Sequence, residues 1–195
     1  MKNWEKIIII ISFLVIIYFL YKSSSHTSYV VSRLDNRKYL VQNLKNKEEA
    51  TDILSIIHQR IAILRNYLKN HIDDYPEYKP YIRQFYNKTQ HVVLRENSVN
   101  GKYTSFTVNK GEQIFLCLRS KKNGRIHDTN LIMYVTLHEL AHTACPDYNH
   151  TKLFKKIFIF LLEIAIILGI YDKANYQDFP EEYCGLVIDE YLLRY

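Results

Sequence analysis

The chain has 195 residues, 48% of them apolar, and a formal net charge of +6. This length suits one domain with a tail or an anchor, and the apolar fraction is enough for a core. The charge is uneven, with ten Lys/Arg against two Glu over residues 79–125 and seven acidic against two basic residues over 163–195. No RNA-binding signature or Cys–His finger accompanies the basic segment. A solvated basic face is therefore favoured, and nucleic-acid binding stays an open alternative.

The three cysteines are odd in number, and their spacings exclude a disulfide scaffold and a CxxC zinc site. Cys117 lies in the apolar run "IFLCL", where a buried free thiol is expected. Unpaired cysteines favour a reducing compartment over a secreted location. One disulfide with one cysteine left over remains open.

Residues 7–21, "IIIIISFLVIIYFLY", form a nearly continuous apolar run. Counted from Trp4, the helix would be about 27 Å long, and flanking lysines can extend toward the membrane surface over the rest of the roughly 30 Å hydrocarbon core. We therefore predict a transmembrane anchor over 1–22. A cleaved signal peptide is a less favoured alternative, because no A-x-A-like cleavage site follows the run. A core or interfacial helix is also less favoured, because the run has no polar face.

The basic residues around this run predict its orientation. More of them follow the run than precede it: Lys22, Arg33, Arg37 and Lys38 against Lys2 and Lys6. The excess predicts a single-pass membrane protein with its large domain on the cytoplasmic side. The polar, mixed stretch 23–47 is predicted to be a stalk or linker.

Helical spacing begins after this stalk and then gives way to a strand pattern. Apolar residues at spacings of three and four predict an amphipathic helix over 48–71, and a shorter helix follows over 81–90. Segments 103–108 and 113–119 are rich in β-branched and aromatic residues and are joined by a Gly-containing connector. They predict a small antiparallel sheet.

Two further helices are predicted next. One has Asp128 or Thr129 as its N-cap and continues to about residue 144. The strongly apolar segment 152–170 carries Glu163 near its middle, so it is predicted to be a buried core helix and not a second membrane span. A last short helix or strand ends an α+β fold.

The stretch 138–142, "HELAH", predicts a metal site. On an α-helix His138 and His142 project from one face, about 6 Å apart along the axis, so both can bind one ion. Glu139 lies about 100° round the helix and cannot readily join them as a ligand. It can reach a water on the metal, accept its proton as the water attacks a peptide carbonyl, and pass the proton to the leaving amine.

A catalytic zinc ion usually takes a third protein ligand. Pro146 ends the helix, and the chain beyond it offers His150, expected to open the next helix, and Asp147. Both stay open on spacing alone. Tyr183, Tyr148 and His127 are candidates for stabilising the oxyanion.

"HELAH" followed by "HTKLF" at 150–154 resembles the WLM-like metallopeptidases, relatives of the SprT-like group. The run 103–189 is also similar to predicted metallopeptidases of large DNA viruses. The resemblance implies a minimal zincin-like domain, which we assign to 48–195. It implies one Zn²⁺ per chain bound by His138, His142 and His150, with Glu139 as the catalytic residue.

The function expected from these patterns is that of a membrane-anchored zinc endopeptidase acting on a protein or peptide substrate. One alternative is a membrane-tethered interaction protein with a zincin fold and no turnover, although Glu139, which the fold does not need, is present. WLM-type proteases cut proteins crosslinked to DNA, so a DNA-associated protease is the other alternative.

Overall fold

The computed structural model describes residues 3–24, 26–98, 101 and 103–189. Within them, helices alternate with short strands around one hydrophobic core. The helices are α1 (Asn3–Ser24), α2 (Lys47–Asn70), α3 (Lys79–Thr89), α4 (Thr129–Ala144) and α5 (Lys152–Ile167). The strands are β1 (Thr27–Val31), β2 (Lys38–Gln42), β3 (Val93–Glu96), β4 (Phe106–Val108), β5 (Gln113–Leu116), β6 (Glu181–Tyr183) and β7 (Leu186–Ile188).

Strands β1 to β5 form one sheet in the order β1-β2-β3-β5-β4. The β1–β2 and β4–β5 pairs are antiparallel, whereas β2–β3 and β3–β5 are parallel. Parallel pairing of β2 with β3 needs a long crossover, which α2 and α3 provide. The expected α+β class is confirmed, and so is the antiparallel pairing of the segments 103–108 and 113–119. The expected small antiparallel sheet is corrected to a five-stranded mixed sheet.

The stretch 23–47, predicted to be a stalk, contains two strands of this sheet. Strand β1 pairs with β2 along its whole length, and Leu40 of β2 pairs with Arg95 of β3. Tyr39 and Val41 are buried in the core. The prediction of an irregular linker over these strands is therefore corrected, because their side chains help to bury the sheet against α2.

Helix α2 follows its amphipathic pattern. Its core-facing residues are buried at the predicted spacings: Ile53, Ile57, Ile61, Leu64 and Leu68. They pack against β2, β3 and α3. Burial of one such side chain contributes about 1.5–3 kcal/mol, so this face is a main source of the domain's stability.

Helices α4 and α5 pack against each other. The carboxylate of Asp128 caps α4 by accepting from the backbone N–H groups of Asn130 and Leu131, which confirms one of the two predicted caps. Thr151 caps α5 by accepting from the N–H of Phe154. Eight residues of α5 are buried, so the prediction of a core helix there is confirmed.

Helix α1 covers the apolar run at the amino end. Among the described residues, no helix is both long enough and apolar enough to cross a membrane, so the predicted transmembrane anchor over 1–22 has no support in the structure. The large apolar side chains of α1 from Trp4 to Leu20 are exposed.

A disulfide joins Cys117, just after β5, to Cys184 in the β6–β7 turn, with their Cα atoms 6.3 Å apart. The expectation of a free thiol at Cys117 is therefore wrong, and the alternative of one disulfide with one cysteine left over holds. Cys145 is the free, buried cysteine. Sequence spacing could not reveal the pair, because 67 residues separate its members. The pairing also removes the argument for a reducing compartment.

Gly111, in the β4–β5 turn, lies against α4. Its φ is +109°, and a Cβ there would lie 2.4 Å from Cγ2 of Thr143. Gly124 also has a positive φ, +70°, but a Cβ there meets nothing within 4 Å. We expect Gly111→Ala to lower the free energy of unfolding by about 1–3 kcal/mol more than Gly124→Ala, because only the first adds overpacking to backbone strain. Urea unfolding measures both, and equal losses would contradict this packing.

Candidate metal centre

Three histidine side chains converge at the carboxyl half of α4. The Nε2 atom of His150 lies 3.0 Å from that of His138 and 3.1 Å from that of His142. His138 and His142 project from successive turns of α4, and His150 approaches from the loop before α5. The ligand atoms of the three residues all lie within 4.8 Å of one another.

This arrangement fits a zinc ion. Tetrahedral coordination with Zn–N distances of about 2.0–2.1 Å places ligand nitrogens roughly 3.3 Å apart, close to the separations here. Metal binding also needs neutral imidazoles. Burial and the neighbouring histidines lower the pKa of His138 to about 3, and burial, His150 and Lys110 lower that of His142 to about 4.

Phe154 explains the His-x-x-x-Phe part of the motif. Its ring stacks on the ring of His142 at a centroid distance of 4.2 Å. It also meets the rings of His138 at 5.0 Å and His150 at 4.9 Å. One buried phenylalanine thus contacts all three histidines and limits their rotation.

The loop that carries His150 is fastened on both sides. Lys110 donates from Nζ to the carbonyl of Pro146 at 2.6 Å. Asp147 accepts from the hydroxyl of Thr151 at 2.8 Å, so it supports the start of α5 and does not join the histidine cluster. His150 was expected to open α5, but the helix begins at Lys152 with Thr151 as its N-cap, so His150 lies in the loop just before it.

Glu139 is not part of the histidine cluster, as its position on the helix predicts. It is 7% exposed and lines a cavity of about 430 Å³ together with His138 and His150. Burial raises the pKa of Glu139 to about 7. A carboxyl group with such a pKa can accept and donate a proton near neutral pH.

The three candidates for oxyanion stabilisation lie in different places. Tyr183 is buried, lines the cavity and shares a hydrogen bond of 2.7 Å with Ser105. Tyr148 is 78% exposed and lies beyond His142, under the ammonium group of Lys110. His127 contacts the backbone N–H of Cys184 and is not among the residues that line the cavity.

Sequence reasoning missed part of the cavity wall. Thr104 and Ser105 precede β4, and Leu186, Val187 and Ile188 belong to the β6–β7 hairpin. No spacing in the sequence predicts these residues as part of the site. Their positions depend on strand pairing and on a disulfide between cysteines 67 residues apart. Only the general expectation of a last short strand pointed to this region.

Comparisons with known proteins agree with this fold. A family model of the WLM domain matches residues 34–158. Uncharacterized protein R325 of Acanthamoeba polyphaga mimivirus is 59% identical over 189 residues, 96% of each chain. Uncharacterized protein 136R of Invertebrate iridescent virus 6 is 42% identical over 94 residues, 47% of this chain and 51% of that protein.

The crystal structure of Wss1 from Saccharomyces cerevisiae has the same fold, with a TM-score of 0.51 and 22% identity over 67% of this chain and 88% of that chain. The fold is thus a mixed α+β fold similar to that of Wss1. The chain belongs to the WLM family. The family match begins at residue 34, so it includes α2, which the sequence resemblance alone had left out.

Proposed function

We propose that the protein is a zinc-dependent endopeptidase whose metal ligands are His138, His142 and His150. The observation that carries the proposal is the convergence of three histidine side chains. The Nε2 atom of His150 lies 3.0–3.1 Å from those of His138 and His142, and the buried Glu139 lines the same cavity as His138 and His150. Membership of the WLM family supports the same reaction class.

Each residue has a separate role in this proposal. When bound, zinc would polarise the scissile carbonyl and lower the pKa of a water molecule toward about 7. Glu139 accepts a proton from the attacking water at a carboxylate oxygen and gives it to the nitrogen of the leaving amine. Phe154 holds the histidine rings in place for the metal.

Metal removal tests the activity directly. We expect the purified protein to cleave unfolded casein, to lose this activity in a chelator, and to regain it when Zn²⁺ is added back. Gel analysis of fragments measures each state, and magnesium added to a second chelated sample is the control, since a set of imidazole ligands suits zinc and not magnesium. Cleavage that persists in the chelated protein would argue against a metallopeptidase.

For the location, we propose attachment to a membrane through residues 7–21, with the domain on the cytoplasmic side. The exposed apolar side chains of α1 support attachment, and the Lys/Arg excess after the run supports the orientation. Protease added to sealed vesicles that expose their cytoplasmic face measures the orientation. We expect the domain to be digested there, and a domain that is protected from the protease would contradict the proposed orientation.

Attachment itself predicts a sharp effect of charge in α1. We expect the chain to float with phospholipid vesicles in a density gradient and the double variant Ile10→Asp, Phe13→Asp to stay at the bottom. An aspartate costs about 2.5–3.5 kcal/mol at the centre of a membrane helix. Leu34→Asp is the control, because Leu34 is exposed outside α1. Equal flotation of all three proteins would exclude attachment through this helix.

Nucleic-acid binding is a separate alternative that the basic segment raised. Arg119 of that segment is buried and paired with Glu96 at 2.7 Å, so its charge is used inside the fold. Binding of the protein to DNA with a steep salt dependence would favour the DNA-associated alternative.

Zinc binding without cleavage of any protein would favour the other alternative, an interaction protein without catalytic activity.

A further inference from the structure

The cavity beside Glu139 has apolar lining residues as well as the candidate catalytic ones. Tyr134 and Val135 lie one helical turn before His138 and Glu139 on α4, and they form one wall. Another part of the wall comes from β7, whose cavity-lining residues are Leu186, Val187 and Ile188. The site therefore combines a few polar groups with apolar walls, as ligand pockets commonly do.

The hairpin that forms this wall is firmly attached to the domain. The disulfide of Cys184 holds its turn, and Glu182 accepts from the hydroxyl of Ser120 at 2.6 Å. Leu186 and Val187 are nevertheless 57% and 61% exposed. An attached strand with exposed apolar side chains beside a candidate active site provides a surface for an apolar ligand group.

The size of the cavity restricts that group further. About 430 Å³ is enough for one large side chain and falls within the usual range for ligand sites. A large apolar side chain would gain burial against the side chains of Tyr134, Val135 and β7.

We propose that this cavity binds a large apolar side chain, such as Leu or Phe, of a peptide substrate next to the scissile bond. Val187 and Leu186 are then specificity-determining residues, since their apolar side chains line the cavity and are exposed. The inference rests on the proposed peptidase function and adds the class of substrate that the enzyme would select.

Peptide binding to a variant that is expected not to cleave tests the preference for a large apolar side chain. The probes are fluorescent peptides Gly-Gly-X-Gly-Gly, with X as Leu, Phe, Gly or Ser, added to zinc-loaded Glu139→Gln protein and followed by anisotropy. We expect the Leu and Phe peptides to bind at least about tenfold more tightly than the Gly and Ser peptides, the lower end of what an apolar pocket discriminates. Equal affinities for Leu and Ser would overturn the proposal.

Variants of the wall locate the effect. In the same protein, Val187→Asp and Leu186→Asp should each weaken the Leu peptide at least about tenfold, while Val31→Asp should not. Val31 is a matched control because it is 50% exposed on β1, the opposite edge of the sheet from β4. Unchanged melting temperatures establish that the variants are folded. Unchanged affinity in both wall variants would place the apolar group elsewhere and overturn the assignment.

Wild-type cleavage of casein, with its cut sites mapped by mass spectrometry, separates this inference from the proposed function. Cuts flanked by apolar residues support it. Cuts with no such enrichment, together with equal peptide affinities, reject the apolar cavity and leave the peptidase function standing. A Leu preference in binding without any casein cleavage rejects the function and retains the cavity.

Discussion

Glu139→Gln is expected to keep its zinc and its fold and to lose at least about a hundredfold of its casein-cleaving activity. The substitution preserves the size of the side chain and leaves the three histidines unchanged. In the proposed mechanism it removes the carboxylate that accepts the proton from water and passes it to the leaving amine, a contribution of typically 10²–10⁴-fold. Steady-state cleavage rates, metal content and thermal melting measure the three quantities separately.

Glu163→Gln is the matched control for this variant. Glu163 lies on α5 and does not line the cavity beside Glu139. We expect its activity to stay within about twofold of wild type, since surface and half-buried changes away from a site act mainly on stability. If Glu139→Gln cleaves casein as fast as Glu163→Gln, Glu139 is not the general base.

Removal of any one of the three clustered histidines should nearly abolish zinc binding. His138→Ala, His142→Ala and His150→Ala each leave two protein ligands, too few for a tight site. We expect the affinity to fall by more than about a hundredfold, beyond the 10–100-fold that loss of a supporting contact causes. Competition with a zinc-binding dye measures the dissociation constants.

Two controls decide the identity of the third ligand. Asp147→Ala should weaken zinc binding far less than His150→Ala, because Asp147 binds the hydroxyl of Thr151 and lies outside the cluster. His91→Ala removes an exposed histidine away from α4 and should change nothing. A larger loss in Asp147→Ala than in His150→Ala would move the third ligand to the carboxylate.

The features of the site that depend on one helix could be predicted from the sequence. The separation of four residues between His138 and His142 is close to one helical turn, so their shared face follows from helix geometry alone. The same geometry turns Glu139 away from them, and Asp128 caps the helix as its side-chain chemistry predicts. The periodic apolar face of α2 likewise predicted its buried residues.

Features that join distant segments could not be predicted in this way. Strands β1 and β2 looked like a polar stalk, because their burial depends on pairing with β3 across more than fifty residues, as between Leu40 and Arg95. The parallel direction of that pair depends on the path of α2 and α3. The disulfide of Cys117 with Cys184 depends on where the last hairpin packs.

The sequence by itself therefore determined the helix with its two histidines and its glutamate, because the spacing of neighbouring residues on a helix is a local property. It left His150 and Asp147 open on spacing, since a loop of this length can bring either toward the metal site. Only the tertiary structure places His150 beside His138 and binds Asp147 to Thr151 instead, which favours His150 as the third ligand. It also brought Tyr183 and Val187 beside Glu139, because the cavity closes only when the carboxyl-terminal hairpin packs near the sheet.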